Sequence, residues 1–153
     1  MREYSPPFYL RWCLACIKGC MLRTFSISTS HREEIADITG EVREFVRSSG
    51  ISSGVCTVFV PHTTCGVTIN ENADSTVKRD ILTWMKKEIP HEGDYRHSEG
   101  NSDAHIKTLL TGSSLQLIIE RGDLLLGTWQ GVYFCEFDGP RRRKYHVQLI
   151  GEK

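Results

Sequence analysis

The sequence predicts an α+β domain, a mainly antiparallel β-sheet or sandwich with two to three helices packed on it. Three observations carry that reading. Four apolar, strand-like runs close the chain (115–120, 124–129, 132–137 and 144–150), separated by Gly-containing turns. Two earlier stretches, around 35–46 and 77–85, repeat apolar residues at helical spacing. The 153 residues, 39% hydrophobic and 25% charged, amount to about one domain with a single core.

Each element has a local reason. From Leu22 to Ser28 apolar and polar residues alternate, as in a half-buried strand. Ser30 followed by Glu33 fits a capping box, and Ile35, Ile38, Val42, Phe45 and Val46 then repeat as one helix face, with Gly50 placed to stop it. VCTVFV (55–60) is apolar and β-branched enough for a buried strand, and it delivers the chain to Pro61. After VTI (67–69), Asp74 can cap a helix carrying Val77, Ile81, Trp84 and Met85, ended by Pro90. A polar loop, 91–102, precedes a short helix near 103–110 capped by Asn101 or Ser102, and the four closing strands read as a β-meander.

Charge and cysteine usage narrow the function classes. Basic and acidic residues balance at 19 each, which predicts neither nucleic-acid nor membrane attraction. No apolar run approaches the roughly 20 residues that span a bilayer. Segment 8–17 is broken by Arg11 and lacks a cleavage site of the signal-peptide kind. Cys56, Cys65 and Cys135 are dispersed, as small buried residues are, which points to a reducing, cytoplasmic setting. Cys13, Cys16 and Cys20 crowd the N-terminus and can be read as a metal site. Against that, residues 1–20 show no period and Met21 opens onto patterned sequence, so 1–20 reads as an extension of a domain at 21–153.

The chemistry-bearing residues fall in two polar loops. YRHSEGNSDAHIK (95–107) gathers His97, Glu99, Asn101, Asp103 and His105, and PHTTCGVTINEN (61–72) holds His62, Thr63, Thr64, Cys65 and Glu71. His62, His97 and His105 are candidate ligands of a divalent metal, zinc first, because three imidazoles leave a fourth position open; hydrogen-bonding loop histidines are the plain alternative. Asp103, Glu99 or Glu71 would orient the rings. Glu71 is the candidate general acid/base, with His97 and Asp103 beside it as catalytic candidates. Thr63 and Thr64 offer an anion site or a simple turn. Cys65 reads as a packing residue rather than a nucleophile. The basic run Arg141–Lys144 suits a phosphate or a solvated hairpin end. His31 is expected on an exposed first helical turn, His91 without ligand-like company, and His146 facing solvent or an interface.

Those two loops, together with LLLGTWQGVYFCEFDGPRRRK (124–144), resemble the YjbQ family, also called the secondary thiamine-phosphate synthase enzyme family. The resemblance spans about 22–151 and leaves out 1–20. It implies a homotrimer with the motif loops near subunit boundaries, and a site for a small phosphorylated metabolite. Glu71, Asn101, Asp103, Gly127, Thr128, Trp129, Gln130, Asp138 and Arg141 would share the neighbourhood of the three histidines, with Trp129 as a pocket wall or a core residue. The implied activity is a weak or secondary thiamine-phosphate synthesis, in which a pyrimidine pyrophosphate is joined to a thiazole phosphate. A non-catalytic trimer that captures metal or phosphometabolite, or a metal-assisted phosphate-ester hydrolase, remains the alternative.

Overall fold

The computed structural model of the chain describes residues 19–153. Cys13 and Cys16 lie outside them, as does most of the expected extension. Two antiparallel sheets face each other across one core. Strands β1 (Gly19–Ser28), β3 (Ser53–Phe59), β5 (Ser114–Glu120), β6 (Asp123–Leu124) and β8 (Arg142–Glu152) form the larger sheet in the order β1-β8-β3-β5-β6. The smaller sheet is β2 (Glu34–Asp37), β7 (Gln130–Glu136) and β4 (Cys65–Glu71), in the order β2-β7-β4.

The core between the sheets follows from strand parity. Cys56 and Val58 of β3 and Val147 and Leu149 of β8 meet Val67 of β4 and Val132 and Phe134 of β7, all at most 1% exposed. Helix α1 (Thr39–Ser49) adds Val42, Phe45 and Val46 to that core and ends at Gly50, whose φ of 72° is the left-handed cap expected of it. Burying side chains of this size stabilises by about 1.5–3 kcal/mol each. Helices α2 (Ser75–Glu88) and α3 (Ser102–Thr111) lie on the outer side of the smaller sheet, where Met85 and Ala104 join Tyr133, Cys135 and Phe137 in a second cluster. Asp74 caps α2 as predicted, accepting from the Thr76 N–H at 2.8 Å.

Two expectations are corrected. The first helix starts at Thr39, because Glu34–Asp37 pairs with Tyr133–Glu136 as β2. Ile35 therefore belongs to the outer cluster, not to a helix face. Ser30 bonds to Glu34 rather than Glu33, with its N–H and hydroxyl donating to the Glu34 carboxylate at 2.8 and 3.1 Å. His31 accordingly precedes a strand, exposed as expected. The second correction concerns 124–129, where β6 ends at Leu124 and the Gln130 N–H closes a turn onto the Gly127 carbonyl at 2.9 Å. That turn sends the chain into the other sheet, so β7 is flanked by β2 and β4, β8 by β1 and β3, and no four-stranded meander forms. No helix among the described residues is long and apolar enough to cross a membrane.

Candidate functional site

Helix α3 brings the two polar loops together. Its C-terminal end is pinned to β4, where the Val67 N–H donates to the Gly112 carbonyl at 3.0 Å. The approach needs Gly66, since a Cβ there would overlap the Thr111 side chain. His105, on α3, is thereby held between the other two candidate histidines. On one side the His97 ring stands edge-on to it, ring centres 5.2 Å apart, in an open depression of about 530 Å³ that also includes Arg96 and Ser102. On the other side His105 shares a second depression, about 500 Å³, with His62 and Thr63.

Of the three candidate ligands, His97 and His105 stand next to each other. Two imidazoles bound to one tetrahedral zinc place their ring centres on the order of 5 Å apart. His62 does not complete that set within one chain. Its Nε2 accepts the Lys144 N–H at 3.1 Å, and among the described residues no three His, Cys, Asp or Glu side chains stand close enough to hold a metal. Burial, helped by the Arg143 charge, holds the His62 pKa below its ordinary value, so its ring is neutral near pH 7.

Behind the histidines lie two buried ionic networks. Asp103 is fully buried and accepts from Lys107 at 2.9 Å and from both Arg32 terminal nitrogens at 3.1 and 3.0 Å. Burial alone would raise its pKa, but those bonds, with one to His91, hold it at about 2. Lys107, also without exposure, bonds Glu33 at 2.9 Å. In the second network Arg143 grips Glu136 through two bonds, 2.7 and 2.8 Å, and reaches the Thr64 hydroxyl at 3.0 Å. The Cys65 thiol donates to Glu136 at 3.3 Å, and burial pushes its pKa well up, so it stays protonated and is no nucleophile at neutral pH.

The predicted site residues divide between the two ends of β4. At the His105 end stand His62, exposed Thr63 and buried Thr64, with Asn101, Asp138 and Arg141 close by. Asn101 donates to the Asp138 carboxylate at 3.0 Å and Arg141 to the same oxygen at 2.7 Å. At the other end, Glu71 pairs across the sheet with Gln130. Trp129, 62% exposed, sits beside them and is no core residue. The Gln130 side chain holds the Gly127 N–H at 2.8 Å. Six strand steps from Cys65 to Glu71 make about 20 Å, so one chain does not gather all the predicted residues.

Within the basic run Arg141–Lys144, Arg143 is neither solvated nor open to phosphate, because it is buried on Glu136. Several other partners carry no motif that singles them out. His91, expected to stand alone, contacts Arg32 at 2.8 Å and Asp103 at 3.3 Å. Glu136 and Arg143 were findable by parity: Glu136 falls in step with Val132 and Phe134, and Arg143 with Tyr145 and Val147. Lys107 follows Asp103 by one helical turn. No local pattern points to Arg32.

Comparison with known proteins places these elements in a recognised group. The family described as UPF0047 protein YjbQ-like matches residues 23–152. The UPF0047 protein MJ1081 of Methanocaldococcus jannaschii is 50% identical over 87% of this chain and 96% of its own length. The UPF0047 protein YugU of Bacillus subtilis is 51% identical over 86% of this chain and all of its own. Among solved structures, an uncharacterized YjbQ/UPF0047 protein of Clostridium acetobutylicum superposes with a TM-score of 0.82 at 57% identity, covering 84% of this chain and 99% of that one. A protein of unknown function from Sulfolobus solfataricus gives 0.84 at 32% identity, over 88% and 99%.

Proposed function

This chain is a member of the UPF0047 YjbQ-like family, and on that premise we propose that it takes phosphorylated metabolites at the histidine end of β4, with thiamine-phosphate synthesis as a secondary activity. In that reaction a thiazole nitrogen bonds to the methylene carbon of the pyrimidine pyrophosphate. The carbon–oxygen bond to pyrophosphate breaks, and pyrophosphate leaves with the electron pair. The observation that carries the reading is the position of His105, which shares one depression with His97, Arg96 and Ser102 and the next with His62 and Thr63.

The residues supply what such a departure requires. Arg141 is steadied by Asp138 and keeps nitrogens free for an anionic leaving group. His97 and His105 offer ring donors to phosphate oxygens. Asp103, fully paired, acts as a positioning residue that holds α3 to Arg32. A divalent metal, zinc by ligand type, would be held by His97 and His105 and would supply Lewis acidity; no step above depends on it.

The proposal includes a homotrimer. Support comes from the outer face of the larger sheet, where Leu22, Val55, Phe59, Ile118 and Ile150 stay 37–67% exposed. The unpaired thiols of Cys56, Cys65 and Cys135 suit a reducing, cytoplasmic setting.

The separation of Glu71 from the histidines favours one rival, capture of the metabolite without turnover. Pyrophosphate release from the two thiamine precursors, compared between wild type and Glu71→Gln, decides between them. Turnover that Glu71→Gln abolishes while fold and binding persist supports catalysis. Tight binding with no turnover in either protein leaves capture alone, and release of phosphate from simple phosphate esters points to hydrolysis.

A further inference from the structure

The outer layer of the fold is incompletely packed. Helix α2 carries Val77, Ile81, Trp84 and Met85 on one face, yet of its fourteen residues only Met85 is buried. Between that face and the smaller sheet lies a cavity of about 440 Å³. Its apolar lining comes from Ile35 and Cys135 of the sheet, Ile81 and Trp84 of α2 and Leu110 of α3. The pocket opens to solvent, and its size falls within the range of small-molecule sites.

The polar groups around the cavity are mostly donors. Lys78 lines it, its ammonium 5.2 Å from the centre of the Tyr133 ring. Among the described residues no carboxylate pairs with it within 4.0 Å, and the nearest charge that feels it is Asp37, on β2. Thr68 contributes a hydroxyl with no partner among the described residues. Asn70 uses its amide oxygen on the Glu71 N–H, which leaves its NH₂ free. The Tyr133 hydroxyl is spent on the Glu71 carbonyl and the Asn72 amide oxygen, at 3.0 and 2.7 Å. The one lining carboxylate, Asp80, is exposed and two positions from Lys78 on α2, a spacing at which the two do not pair. Cys135 is buried and its pKa is pushed up to about 12, so it adds no charge.

We infer that this cavity is a second ligand site, which binds a small amphipathic anion, an aromatic or short alkyl carboxylate or phosphate. The apolar part would lie against Ile81, Met85 and Trp84, with the charge at Lys78 and the hydrogen bonds from Thr68 and Asn70. The site is separate from the histidine cluster and does not depend on the proposed transfer reaction.

The test is calorimetric titration of the full chain with 2-naphthoate and with its neutral isostere 2-naphthamide. Saturable binding of one naphthoate per chain is expected, at least about tenfold tighter than the amide. Lys78→Met should erase that preference, Ile81→Trp should remove binding by filling the cavity, and Thr68→Val guards against a misfolded Trp variant by weakening binding on its own. His105→Ala should leave binding intact. The proposal is overturned if naphthoate does not bind saturably, if it binds no better than the amide, or if His105→Ala removes it, since the ligand would then occupy the histidine site.

Discussion

The two ends of β4 use polar residues in opposite ways. At the Cys65 end the carboxylates of Glu136 and Asp103 are buried, Asp103 gripped by Lys107 of its own helix and by Arg32, Glu136 by Arg143 of the facing sheet. At the Glu71 end the half-buried Glu71 carboxylate has no side-chain partner among the described residues, the Trp129 ring is exposed, and the Gln130 side chain bonds only the Gly127 N–H. Buried charge is tolerable only when paired, so the first end is rigid and its residues hold positions. The second end is free to meet something beyond the chain, and replacing an unpaired side chain of that kind costs little.

The largest effect that sharpens this contrast is Lys107→Met. It leaves Asp103 and Glu33 buried beside one fewer cation, and loss of about 3–5 kcal/mol is expected in denaturant unfolding. Arg143→Met should cost a similar amount by stranding Glu136. Acid comes next. The Asp103 pKa is depressed in the fold, so its contribution is full above the unfolded value of about 3.9 and is lost as pH falls through about 4 to 2. The loss should be on the order of 2 kcal/mol, and Asp103→Asn, less stable at neutral pH, should lack that acid limb.

His62 should show a smaller effect. Its pKa is lowered in the fold, so the unfolded chain takes up the proton first and stability declines as pH drops through about 6.5. NMR titration of the ring should give a midpoint below that value. Smallest of all, Glu71→Gln should change stability by no more than about 0.5 kcal/mol. A large loss there would break the distinction between the two ends.

Much of the fold was legible because its signals are local. Gly50 and Asp74 terminate and start their helices by backbone and side-chain chemistry that their neighbours alone determine. Ile35 misled because i, i+3 spacing with Ile38 fits a helix face, while the pairing that makes it a strand residue comes from β7, a hundred residues on. The β6–β7 turn was similarly hidden, since apolar residues 124–126 read as a strand until the chain changes sheets. For the site, the two polar loops do converge on His105. That Glu71 lies at the far end of the strand follows from the length of β4, which the loop motif does not reveal. Arg32, joined to Asp103 across 71 positions, had no sequence signal at all.

The measurement that tests the histidine end most directly is elemental analysis of natively purified protein beside His97→Ala and His105→Ala. About one divalent ion per assembled site, lost in both variants while the melting profile is kept, is the predicted result. Metal-free wild-type protein, even after zinc is supplied, or metal retained in both variants, would contradict the pairing of His97 and His105 as ligands.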